Sequence, residues 1–116
     1  MGITRIQAGP RMSMAVVHGN TVHLAGVVAT NTKADAKGQT KQITAQIDKL
    51  LKAAGSNKSK MLSANIWLSD IRYFADMNSV WDAWVVPGKT PARATVEAKL
   101  AGPQYLVEIM VTAARD

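Results

Sequence analysis

Cysteine is absent from the 116 residues. That excludes a disulfide scaffold, a thiolate nucleophile and a sulfur-ligated zinc site. Nothing in the chain needs an oxidising compartment, and a cytoplasmic setting is the expectation. Aromatic residues are scarce, with 1 Phe and 2 Tyr beside 3 Trp, which is thin material for a base-stacking surface. No apolar run approaches the roughly 18 residues of a membrane span, and the opening MGITRIQAGPRM lacks the apolar stretch of a signal peptide. No P-loop, G-x-G-x-x-G or G-x-S-x-G occurs. The only histidines, His18 and His23, have no third ligand beside them and make a poor metal site, so neither metal nor organic cofactor is expected.

What is present is a hydrophobic fraction of 47%, enough for one domain over residues 1–116 with a real core. Basic residues outnumber acidic ones by 14 to 8, a net charge of +6. Six lysines (Lys33, Lys37, Lys41, Lys49, Lys52, Lys58) fall on a loop and the outside of a helix, and the arginines do not cluster. This reads as a solvated basic face with only weak, salt-sensitive attraction to polyanions; no specific nucleic acid and no membrane partner is expected.

Periodicity divides the chain into alternating elements. Ile3–Gln7 reads as an edge strand. Met14–His18 and Val22–Val28 are apolar runs joined by Gly19-Asn20, a two-residue hairpin turn. Thr30–Thr40 is polar and reads as a loop. Thr40–Ala54 carries Ile43, Ile47, Leu50, Leu51 and Ala54 at helical spacing, and Gly55 ends it. Met61–Ser69 alternates as a strand, and Asp70 caps a second helix over Ile71–Val85 whose stripe is Phe74, Met77, Trp81, Trp84 and Val85. Arg93–Leu100 alternates, and Tyr105–Ala114 is apolar on both faces, as in a buried central strand. The order β-β-β-α-β-α-β-β predicts an α+β fold: a mixed sheet with both helices on one face. The other face is left bare, and self-association is its natural cover.

Several polar residues interrupt apolar patterns. Glu108, one of only two glutamates, sits inside LVEIMV, where a carboxylate is costly unless paired or protonated. It is either a buried polar contact that fixes register or a site carboxylate. Arg93 opens a strand whose alternation places Arg93, Thr95, Glu97 and Lys99 on one face. A hairpin over Ala101–Gln104 would set Glu97 against Glu108, an unfavourable pairing; either the two strands are not simple hairpin neighbours, which is the favoured expectation, or the two carboxyls share a proton. Asn78, at the edge of the second helix's stripe, needs a partner, for which a helix-to-strand hydrogen bond suffices.

The segment PARATVEAKL with LVEI after it, positions 91–109, resembles the P-A-R-x-x-V-E…VEI signature of the YjgF/RidA family of reactive enamine/imine deaminases. AVVHGNTVHLAGVV (15–28), LLKAAGSNKSK (50–60) and DIRYFADMNSVWDAW (70–84) are similar to the family's strand pair, helix end and second helix. The resemblance implies a chorismate-mutase-like, YjgF-like fold and a homotrimer with ligand sites between subunits. It also implies Arg93 as a carboxylate clamp and Glu108 as the residue that positions water, with Thr95, Asn78 and Gly26 around the substrate. The sequence departs at Arg11-Met12-Ser13-Met14, where relatives carry a pocket tyrosine after Gly-Pro, and at Val27, where a Gln is frequent.

The expected reaction is hydrolysis of 2-imino acids to 2-keto acids and ammonia. The alternatives are a non-catalytic trimer that binds small carboxylates or keto acids, and, behind it, an RNA-binding or endoribonuclease role.

Overall fold

A computed structural model describes residues 2–116. The alternation in the first half produces strands β1 (Ile3–Ala8), β2 (Ser13–His18) and β3 (Thr21–Leu24). Ala15, Val17, Val22 and Leu24 turn into the core, while Met14, Val16 and His23 stay outside it. Gly19 adopts φ +60° between the partners His18 and Thr21, the positive φ that a two-residue hairpin turn requires.

The expected strand over Val22–Val28 is broken: after β3 the chain leaves the ladder at Ala25-Gly26 and returns as the two-residue strand β4 (Val27–Val28). The order therefore gains one short strand. The break falls where the Glu108 carboxylate comes against Gly26, and any side chain at position 26 would collide with it.

Helix α1 runs over Ala36–Ala53, four residues longer at its start than the apolar stripe alone indicates. Asp35 caps it, its Oδ1 accepting the Gly38 N–H at 2.9 Å. Ala36, Gln39 and Thr40 then extend the buried face ahead of Ile43. At the other end Gly55, at φ +81°, donates to Lys52 O at 3.1 Å and Ser56 N–H reaches Leu51 O at 2.8 Å, the paired bonds of a Schellman cap.

Strand β5 (Met61–Leu68) follows a short 3₁₀ turn. The expected helix over Ile71–Val85 begins as another 3₁₀ turn at Ile71–Tyr73 and becomes α2 only at Phe74–Trp84. Asp70 caps that turn, accepting Arg72 N–H at 2.9 Å. The Arg72 guanidinium beside it holds the Asp70 carboxyl below the usual carboxylate range.

Strand β6 (Ala92–Glu97) starts one residue before the expected Arg93–Leu100 and ends three residues sooner. Its pairing partner β5 ends at Leu68, and the last bond is Ala98 N–H to Leu68 O at 2.9 Å. Strand β7 (Val107–Ala114) starts two residues late, because the Leu106 N–H is taken by the Gln39 side chain at 2.9 Å.

The sheet order is β1-β2-β3-β7-β5-β6, with β4 also on β7; β5 and β6 are parallel, the other pairs antiparallel. α1 and α2 pack on one face over Val107, Ile109, Val111 and Ala113 of β7 and over Ala64, Ile66 and Leu68 of β5. β7 is central, as expected, but only one of its faces is buried: Glu108, Met110 and Thr112 are half-buried on the open side. Val96, 49% exposed, and half-buried Trp67 share that open face. No helix among the described residues is long and apolar enough to cross a membrane.

Candidate functional site

Arg93 stands at the free edge of the sheet. Its partner in β5 is Ala64, which is buried under the helices, so Arg93 projects to the helix side. There α2 presents Phe74, Asn78 and Trp81 at i, i+4 and i+7, one stripe of the helix. The Arg93 Nη1 donates to Asn78 Oδ1 at 2.8 Å. The guanidinium carbon lies 5.8 Å from the Phe74 ring centroid and 5.4 Å from that of Trp81, within cation–π range. One nitrogen is thus tethered and both ring faces support the plane. Among the described residues no carboxylate forms an ion pair with Arg93, so its fork is oriented and still free to take an anion.

Thr95 follows two residues later on the same side. Its Oγ1 is buried without a hydrogen-bond partner, an uncommon condition for a hydroxyl. Glu97, next in the alternation, accepts the Ile71 N–H at 2.9 Å and so ties β6 to the turn that starts α2. It is a brace for the helix that holds Arg93.

Glu108 lies on the other face. It pairs with Trp67 across β5 and with Val28 across β4, next to Gly26. Burial raises its pKa above the ordinary glutamate value, because the charged form is poorly solvated there. β5 separates its strand from that of Glu97, so the two glutamates are not cross-strand neighbours, in line with the charge argument.

The expected site residues therefore fall into two groups within one chain. Arg93, Asn78 and Thr95 gather at the β6–α2 edge. Glu108 and Gly26 gather on the open face. Beyond the second group the turn Gly9–Met12 is closed by Gly9 N–H to Met12 O at 2.8 Å, with Arg11 and Met12 exposed where relatives were expected to carry a tyrosine. The bond from Ala25 N–H to Met14 O at 2.9 Å holds that end of β2 beside Gly26. His18 and His23 are exposed strand residues, and among the described residues no three metal-binding side chains come together.

Sequence reasoning treated Phe74 and Trp81 only as core stripe and missed their place against Arg93. It also missed the run that continues beyond them. Trp81 and Trp84 meet with ring centroids 5.4 Å apart at 59°. Trp84 in turn has its Nε1–H on Asp48 Oδ2 at 3.0 Å and the Lys58 Nζ 5.7 Å over its ring. Helical spacing joins Phe74, Asn78 and Trp81 on one stripe, but the partner strand is not readable from it.

Comparison with known proteins places the chain in a family. A family model described as Endoribonuclease L-PSP matches residues 2–115. The RutC family protein YoaB of Escherichia coli is 51% identical over 114 residues, which is 98% of this chain and 99% of that one. A RutC family protein of Haemophilus influenzae is 46% identical, covering 97% and 98%. The crystal structure of a YjgF-family member from Neisseria meningitidis superposes with a TM-score of 0.97 at 46% identity, covering 100% of this chain and 97% of that one. Sequence and fold thus agree, and the chain belongs to the YjgF/RidA family.

Proposed function

We propose that the protein is a hydrolytic deaminase of 2-imino acids, active as a homotrimer in which each site is shared between two copies. The observation that carries this reading is Arg93: a guanidinium fixed by Asn78 and two rings, with no carboxylate of its own. Such a group suits a planar carboxylate through two parallel N–H···O bonds. The Thr95 hydroxyl beside it is buried and has no hydrogen-bond partner among the described residues.

The missing half of the chemistry lies on the open sheet face. When the open face of one copy is covered by the β6 edge of the next, Glu108 and Gly26 come to the carboxylate held by Arg93. The clamp sets the C=N carbon against a water beside Glu108. As the water oxygen bonds to that carbon, Glu108 takes a proton from it and returns it to the nitrogen. In the resulting carbinolamine the remaining hydroxyl proton passes through Glu108 to the nitrogen as the C=O bond forms and the C–N bond breaks, releasing ammonia and leaving the 2-keto acid. A raised pKa suits a carboxylate that must both accept and return a proton near neutral pH. No metal or organic cofactor enters these steps. A cytoplasmic setting belongs to the same reading.

A second reading has one observation in its favour. The Gly9–Met12 turn carries exposed Arg11 and Met12 and no tyrosine, which fits a trimer that holds small carboxylates or keto acids without turnover. A coupled assay separates the two. An amino-acid oxidase generates imines from a panel of amino acids, and semicarbazide traps those left unhydrolysed. The deaminase reading requires suppressed trapping that vanishes with Arg93→Ala. Unchanged trapping across the panel, with keto acids still binding at Arg93, establishes the binding trimer instead.

A further inference from the structure

The helix layer carries a groove that the imine chemistry does not use. It is an open cleft of about 440 Å³ between the start of α1, the 3₁₀ turn Lys58–Lys60 and the second half of α2. Lys37 and Lys41 enter it from α1, one helical turn apart, and Lys58 from the opposite rim. Val80, Ala83 and Trp84 form its apolar wall.

Three ammonium groups therefore face one concavity, and among the described residues none of the three is in an ion pair. The charged residues that line the groove are these three lysines, and no carboxylate lines it. The Asp48 carboxylate is bonded to the indole N–H of Trp84, and the Ser79 hydroxyl at the rim donates to Asp76 O at 2.7 Å. Like charges around one concavity repel. A multivalent anion turns the repulsion into attraction.

We propose that this groove binds a small, multiply charged phosphoryl anion: a polyphosphate or an organic phosphate. The ammonium is a point-charge partner for phosphoryl oxygens. Three such groups favour a ligand with several negative oxygens over a single carboxylate. The groove is of small-ligand size, and the lysines that would extend a nucleic-acid track, Lys49 and Lys52, do not line it. The site lies on the helix layer, apart from the open sheet face, so it does not depend on the imine reading.

The test is calorimetric titration of sodium tripolyphosphate into the wild-type protein at 50 and 150 mM salt. It is repeated with Lys41→Gln, with Lys37→Gln/Lys41→Gln and with Lys52→Gln, which removes the same charge from outside the groove. Circular dichroism confirms that each variant is folded. The groove predicts one site per chain that persists at 150 mM salt. Affinity falls about fivefold for the single groove variant and twentyfold or more for the double, with little change for Lys52→Gln. Tryptophan emission should change on binding, since Lys58 lies over Trp84. Equal losses in Lys41→Gln and Lys52→Gln would show only the diffuse charge of the chain and overturn the proposal. So would absence of binding at 150 mM salt, or binding of a single-stranded oligonucleotide with tripolyphosphate unable to compete.

Discussion

Arg93 and Glu108 point to opposite faces of the same sheet, on strands separated by β5. Arg93 is in register with Ala64 beneath the helices, and Glu108 with Trp67 on the open side. A single chain therefore does not bring the two together. Chemistry that needs both must borrow one of them from another copy, and the half-apolar open face gives that copy a place to sit.

Replacing the guanidinium tests the clamp. Arg93→Ala should reduce kcat/KM for imino acids by about a hundredfold or more, the loss of two charge-assisted hydrogen bonds. The melting temperature should hardly move, because Arg93 is exposed. Arg93→Lys should recover little, since an ammonium cannot keep the Asn78 bond, the ring contacts and a bidentate grip at once. Steady-state kinetics beside thermal melts give both answers.

The carboxylate has a pH signature. Burial raises the Glu108 pKa in the folded chain above its unfolded value. Its stabilising contribution is therefore complete below the ordinary glutamate range and is lost as pH rises through the raised value. Chemical denaturation across that window should show stability declining with pH in the wild type and a flatter profile in Glu108→Gln. If Glu108 must be ionised to act, the catalytic rate rises over the same window, and the Gln variant loses that limb while still binding a keto acid.

Glycine at 26 is required by contact and not by backbone angle. Gly26→Ala puts a methyl group where the Glu108 carboxylate stands. The carboxylate, the far end of a flexible side chain, must swing aside, at little cost to stability. Activity should fall as far as in Glu108→Gln, because the same carboxylate is displaced. A Gly26→Ala protein with normal rates would detach Glu108 from the chemistry.

The brace at Glu97 predicts a split. Glu97→Ala orphans the Ile71 N–H, a loss of about 1 kcal/mol and a fall of several degrees in melting temperature. The effect on catalysis should appear mainly in KM, through a looser α2 and a less fixed Arg93. Glu97→Gln keeps an acceptor oxygen and should restore most of both.

Much of this was legible in the sequence. Alternation gave β5 and β6, an apolar run gave β2, and the capping signals at Asp70 and Gly55 marked real element ends. The unfavourable Glu97–Glu108 pairing favoured separate strands over a β6–β7 hairpin, and β5 does lie between them. The P-A-R and V-E-I segments single out Arg93 and Glu108 as candidates through the family resemblance. The break at Gly26 was not legible, because the Glu108 side chain that comes against it lies 82 positions away in sequence. Nor was the early start of α1, where the stripe is carried by Ala36, Gln39 and Thr40, residues too small or too polar to register as apolar. The face on which each strand's polar residues lie also escaped a one-dimensional pattern. Arg93 and Thr95 point to the helix side, and the apolar Val96 points outward.

The open face makes its own prediction. Met110→Lys sets a charge at the middle of β7 on that face, where a covering copy would have to bury it. Light scattering should give three chain masses for the wild type and a smaller species for the variant. Deaminase activity should fall with the assembly.

Mixing two inactive variants tests the shared site most directly. Arg93→Ala and Glu108→Gln are each expected to be inactive alone. After unfolding and joint refolding at equal amounts, random assembly gives about a quarter of the sites an intact Arg93 from one copy and an intact Glu108 from the next. Recovery of roughly that share of wild-type deamination is the predicted result. Mixed assemblies that form, verified by mass, and stay inactive would contradict a site built between copies.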